Sequence, residues 1–143
     1  MKITAVLKGY LFFAGIYLIL DGLIHILGIR LIDITRWSKE PLVYSDFINR
    51  LYGSFVIFVG LLGIEVQTDL MKYKKFLYIA AIWSFFHAGY LVYTAVTVDF
   101  IQTFAREPSV YIWMPFYNYY LIFEAALLLC LSLLVYLLRR SAK

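Results

Sequence analysis

The chain has 143 residues, of which 64% are hydrophobic, 20% aromatic and 15% charged, with a formal net charge of +4 and a mean hydropathy of +0.82. A soluble domain of this size has too much of its volume near the surface to hide so much apolar side chain, so composition excludes a water-soluble fold and implies a membrane protein. The positive balance suits anionic lipid headgroups, and nothing resembles a nucleic-acid-binding module.

A helix crossing a hydrocarbon core about 30 Å thick needs about 20 mostly apolar residues. Four such segments follow one another over residues 9–32, 47–66, 76–98 and 114–138, and the connections between them are too short for a further domain. The expected architecture is all-α and polytopic, residues 1–143 forming a single four-helix transmembrane bundle.

The opening "MKITAVLKGY" has the positive flank of a signal peptide. Its apolar run continues too far and no small-residue cleavage site ends it, so a retained first span is expected. Within that span "YLILDGLIHILG" sets Asp21 and His25 one helical turn apart, and Tyr10, Tyr17, Asp21, His25 and Gly28 fall on one stripe. The following loop, "RLIDITRWSKEPLVYSDFINR", mixes charges with Trp37 and Tyr44, as interfacial segments do.

On the second span Asn49, Gly53, Val56, Gly60, Gly63 and Gln67 recur at three- and four-residue steps. Glycines on one face let another helix approach closely in lipid, so this stripe predicts a packing seam, with Gly22 and Gly28 serving the first helix similarly. The basic turn "QTDLMKYKKF" follows, its charges and those of Glu65 and Asp69 explained by solvation and snorkelling.

The third span carries Trp83, His87, Tyr90 and Thr94 on one face. A second loop, "DFIQTFAREPSVYIWMP", resembles the first in character; both are candidate lids, though interfacial packing explains them as well. The fourth span carries Trp113, Tyr117, Tyr120 and Glu124 on one face and holds the single cysteine, Cys130, as a packing residue.

Lys2, Lys8, Lys72, Lys74, Lys75, Arg139, Arg140 and Lys143 fall on the side shared by both termini, against Arg30, Arg36, Lys39, Arg50 and Arg106 on the other. The richer side is expected to be cytoplasmic, which makes this an integral protein of the cytoplasmic membrane with both termini on the cytoplasmic side.

With these spans His87 lies near the bilayer centre, Asp21 and Glu124 slightly to the outer side, and His25 about a turn further out. The four can therefore converge in one polar pocket, with Tyr17, Trp83, Tyr90, Tyr117 and Tyr120 in its wall. Each ionisable group at such depth costs about 2.5–3.5 kcal/mol on insertion scales and is ordinarily turned inward and paired. A hydrogen-bonded network that fixes helix register would satisfy that requirement without any ligand.

Three ligand chemistries fit the pocket. Asp21, His25, His87 and Glu124 are a competent donor set for a transition metal, and the Asp-x-x-x-His pair is similar to one in the copper-binding membrane subunit of particulate methane and ammonia monooxygenases, whose downstream histidine has no counterpart here. Haem b between His25 and His87 would need both at comparable depth on opposite sides of the iron, and they differ by one to two turns. A quinone-like or other lipid-soluble small molecule would use the His and carboxylate groups for hydrogen bonds or protons and the aromatic stripes as a wall. This last chemistry also accounts for the aromatic excess.

The order "FFAGIYLILDGLIHILG", then "NRLYGSFVIFVGLLGIE", then a short basic turn resembles the small four-helix DoxX-like membrane proteins, with spaced glycines on the first helix and an R-x-Y-G start and later G-L on the second. The likeness covers about the first half of the chain. Some DoxX-type proteins are subunits of thiosulfate:quinone oxidoreductase, so the resemblance implies a link to quinone; it maps no family site onto Asp21 or His25. No nucleophile and base pair, phosphate loop or dinucleotide fingerprint marks a self-contained enzyme. A non-catalytic accessory subunit of a larger membrane redox or transport complex, or a homo-oligomer, therefore stands as the alternative.

Overall fold

The computed structural model describes residues 2–27, 42–97 and 114–141, without the side chains of residues 2, 42–46, 48, 49 and 114–117. The described chain is helical: α1 is Lys2–Ile26, α2 Leu42–Thr68, α3 Lys74–Thr97 and α4 Met114–Ser141. All four contain stretches long and apolar enough to cross a membrane, namely Ile3–Ile26, Arg50–Thr68, Lys74–Thr97 and Asn118–Ser141. Gly28, Trp37, Trp113 and both proposed lid loops, except for the parts in α2 and α4, lie outside the described residues.

The contacts cluster into two compact units, Lys8–Asp69 and Met1–Leu7 with Leu70–Lys143. In the first unit α1 and α2 run antiparallel. Lys8 Nζ donates to the carbonyl oxygen of Thr68 at 3.0 Å, Gly15 faces Gly60, and Gly22 faces Gly53. Residue numbers fall along one helix as they rise along the other, and the register holds over two heptads.

This contact is backbone against backbone. A Cβ built on Gly15 would lie 2.8 Å from the Gly60 carbonyl oxygen, and one on Gly60 would lie 2.7 Å from that of Gly15. The Gly22 and Gly53 pair repeats the arrangement at 2.5 and 2.6 Å. Only glycine allows this approach, in which Cα–H groups meet carbonyl oxygens directly and dispersion extends over the whole helix surface. The second-helix stripe read from the sequence thus faces α1, and Gly15, absent from that reading, is its main counterpart.

The start of α1 also differs from the sequence expectation. The helix begins at Lys2, ahead of residue 9, and Lys8 lies inside it. A lysine reads as the edge of an apolar span, but this ammonium is accommodated at the C-terminal end of α2, where unsatisfied carbonyls and the helix dipole favour a cation.

In the second unit α3 packs against α4. Leu77, Ala81, Ser84, Ala88, Leu91 and Ala95 are the buried residues of α3, spaced alternately by four and three, the period of a left-handed helix seam. Leu121, Ala125, Val135 and Leu138 are buried on α4. The small residues of α3 bring the helices close enough for Ser132 Oγ to donate to the Ala81 carbonyl oxygen at 2.8 Å. Arg139 stands over the Tyr78 ring at 5.6 Å; with Ser132 opposite Ala81, this makes the pair antiparallel.

Candidate functional site

Asp21 and His25 are on α1, in the first unit, and His25 lies in the helix's last turn. Their spacing of four residues brings His25 Nε2 to 3.8 Å from Asp21 Oδ2, with side-chain exposures of 21% and 16%. That separation is within ion-pair reach and longer than a hydrogen bond. The acidic partner precedes the basic one along the helix, the favourable orientation with respect to the helix dipole.

The α1 and α2 register decides what faces the imidazole. The Tyr52 and His25 rings meet in a T-shaped contact, with centroids 5.0 Å apart and planes at 85°. Gly53 lies beneath it: a Cβ there would stand 2.8 Å from His25 Cβ. His25 is therefore seated on bare backbone between a carboxylate and an aromatic ring. Tyr52 and Gly53 were not among the sequence's site candidates, although both stand in the R-x-Y-G segment that carries the family resemblance. Tyr17, proposed for the pocket wall, is half-buried one turn before Asp21.

Measured along the apolar stretch Ile3–Ile26, at about 1.5 Å per residue Asp21 stands about 10 Å and His25 about 16 Å beyond its middle. The pair thus sits towards one end of the described helix.

His87 and Glu124 belong to the second unit. His87 falls about 2 Å from the middle of Lys74–Thr97 and Glu124 about 8 Å from the middle of Asn118–Ser141. The His87 ring stacks on Trp83 with centroids 4.7 Å apart and planes at 11°, and Tyr90 lies on its other flank at 6.2 Å. Trp83 and Tyr90, proposed for the pocket wall, are 58% and 61% exposed and flank the histidine on α3. Tyr120 Oη donates to Glu124 Oε1 at 2.8 Å, again across one turn. The Tyr117 side chain lies outside the described residues.

Searches against known protein families, curated proteins and solved structures found no match.

The side chains offer two local groups that contain a histidine, Asp21 with His25 and Tyr52 and His87 with Trp83 and Tyr90, and separately the Tyr120 and Glu124 pair. Among the described residues no three of His, Cys, Asp and Glu are grouped so as to hold a metal ion. Each group combines a proton-exchanging imidazole with aromatic surface, and the first adds a carboxylate within 4 Å. Such an arrangement can hydrogen-bond a carbonyl or hydroxyl, stack on a flat ring and relay a proton.

Proposed function

We infer that this is an integral membrane protein, its termini cytoplasmic, that binds a quinone-like or similar lipid-soluble molecule in a redox-associated role through Asp21, His25 and Tyr52. The observation that carries the reading is the His25 environment: a carboxylate 3.8 Å away and an aromatic ring at 5.0 Å, towards the end of a helix apolar enough to cross a bilayer. A molecule with a polar ring and an apolar tail matches this setting. Its oxygens meet His25 and Asp21, its ring meets Tyr52, and its tail remains among apolar side chains.

In this reading Asp21 orients the imidazole, while His25 exchanges a proton with the ligand oxygen. His87 and Glu124 are proposed as further ligand or proton groups. The DoxX-like pattern of the first half of the chain supports the same ligand class, and the Lys and Arg distribution supports the orientation.

The test is binding of a short-tailed ubiquinone to the full chain in detergent, followed by thermal shift and tryptophan fluorescence. The parent should be stabilised in a saturable manner, with His25→Phe and Asp21→Asn weakening binding about tenfold or more while remaining folded. A parent protein indifferent to the quinone, with variants that only lose stability, would make the cluster a helix-registering network instead.

A further inference from the structure

Beyond that site, α3 and α4 enclose between them an open groove of about 460 Å³. Tyr78, Phe85, Phe86, Leu133, Tyr136 and Arg139 line it. Its position follows from the small residues of the helix seam. Ala81 and Ser132 meet through their 2.8 Å hydrogen bond, so the large neighbours on either side splay outward and leave a furrow between the helices. Phe85, Phe86, Leu133 and Tyr136 are all more than half exposed.

The two ends of this furrow differ in chemistry. The Phe85 and Phe86 end is apolar. The other carries Arg139, whose guanidinium lies over Tyr78 at 5.6 Å, with Arg140 next in sequence and Lys74 and Lys75 at the adjacent start of α3. Stacking on an aromatic ring uses the flat face of a guanidinium, whose N–H donors point outward in its plane, in the fork that matches a phosphate.

We propose that this groove is a binding site for an anionic phospholipid, with one acyl chain lying along Phe85, Phe86 and Leu133 and the headgroup phosphate held by Arg139. The proposal rests on the reading that the helices cross a bilayer, and it does not involve Asp21 or His25. Charge complementarity selects the occupant: an apolar furrow ending in clustered cations at the end of a span fits a chain attached to an anion. A zwitterionic lipid offers the same phosphate but brings its own ammonium cation among Arg139, Arg140, Lys74 and Lys75, where like-charge repulsion disfavours it. Tyr78 and Tyr136 at the same end supply the amphipathic rings that settle at headgroup level.

The experiment adds phosphatidylglycerol or phosphatidylcholine with identical acyl chains to the full chain in detergent and counts bound lipid by native mass spectrometry. Phosphatidylglycerol should bind preferentially by about fivefold, the discrimination associated with one arginine at an anionic headgroup. Arg139→Gln should abolish that preference, whereas Arg50→Gln, an exposed charge in the other unit, should preserve it. Leu133→Trp, which fills the groove, should reduce phosphatidylglycerol binding, and glycerol phosphate without acyl chains should not compete. Equal binding of the two lipids by the parent would overturn the proposal without requiring any variant to fold, and equal losses in the two arginine variants, each with the parent's thermal stability, would overturn it as well. Resistance of the chain to carbonate extraction from membranes tests the bilayer reading separately, so an embedded protein without lipid preference refutes the groove alone.

Discussion

Gly22 and Gly53 touch backbone to backbone: a Cβ on the first would lie 2.5 Å from the carbonyl oxygen of the second, and one on the second 2.6 Å from that of the first. Together with the Gly15 and Gly60 contact one heptad away, this sets the α1 and α2 register and thereby brings Tyr52 and Gly53 to His25.

Glycines in this chain should consequently divide into two classes. Gly60→Leu is expected to lower stability by about 3 kcal/mol or more, because neither the Gly15 carbonyl nor Ile19 can retreat without parting the helices. Gly9→Ala and Gly89→Ala meet nothing within 4 Å and should gain about 0.5–1 kcal/mol each from the greater helix propensity of alanine. Thermal unfolding in one detergent checks all three, with Leu61→Ala on the exposed side of α2 as a reference. A Gly60→Leu protein as stable as that reference would refute the seam.

At the candidate site, Gly53→Ala should part the helices locally and displace His25 with them, since the added methyl would lie 2.6 Å from the Gly22 carbonyl oxygen and 2.8 Å from His25 Cβ. The expected result is weakened ubiquinone binding comparable to that of Tyr52→Leu, which removes the ring from the imidazole. If binding survives Gly53→Ala while the helix pair loosens, His25 is not the ligand's anchor.

Ser132→Ala removes the hydroxyl that bridges α4 to the Ala81 carbonyl. Hydrogen bonds between helices in membranes average about 0.6 kcal/mol, and Ser132 retains an alternative acceptor in the Leu128 carbonyl at 3.1 Å. A loss of about 0.6 kcal/mol is expected in reversible unfolding. A loss several times larger would mean that the helix pair depends on this bond rather than on its small-residue seam.

Asn118 Oδ1 is buried without a hydrogen-bond partner among the described residues. An unsatisfied acceptor carries a desolvation penalty of about 1–3 kcal/mol, so Asn118→Leu should be neutral or stabilising by about 1 kcal/mol. Destabilisation on substitution would show that the amide is bonded in the folded protein.

Four spans with cytoplasmic termini require an even number of crossings between residue 1 and residue 143. Cysteines placed at Ser38 and at Ser141, in a Cys130→Ala background because Cys130 is exposed, should react with an impermeant thiol reagent from opposite sides of the membrane. Labelling from the same side would contradict the topology.

The sequence by itself determined the number of helices and their apolar character, because long runs of hydrophobic residues have few other ways to satisfy their backbone. It also determined the contacts made within a helix. Asp21 with His25, Trp83 with His87 and Tyr120 with Glu124 are each four residues apart, and a turn of helix brings such residues together regardless of the rest of the fold. The three- and four-residue spacing of Gly53, Gly60 and Gly63 identified a close-packed face for the same reason.

Only the tertiary structure decided which residues meet across helices. Gly15 as the partner of Gly60, and Tyr52 as the ring beside His25, depend on how far one helix is slid along another, and helical periodicity contains no information about that displacement. The register likewise carried the start of α1 back past Lys8, since a carbonyl at the end of α2 accepts its ammonium proton. Periodicity placed Trp83 and Tyr90 together on one face, but it took the packing of α3 against α4 through Ala81, Ser84 and Ala88 to leave that face out of the seam. In lipid the hydrophobic effect does not sort one apolar helix face from another, so small residues and close backbone contact make the choice.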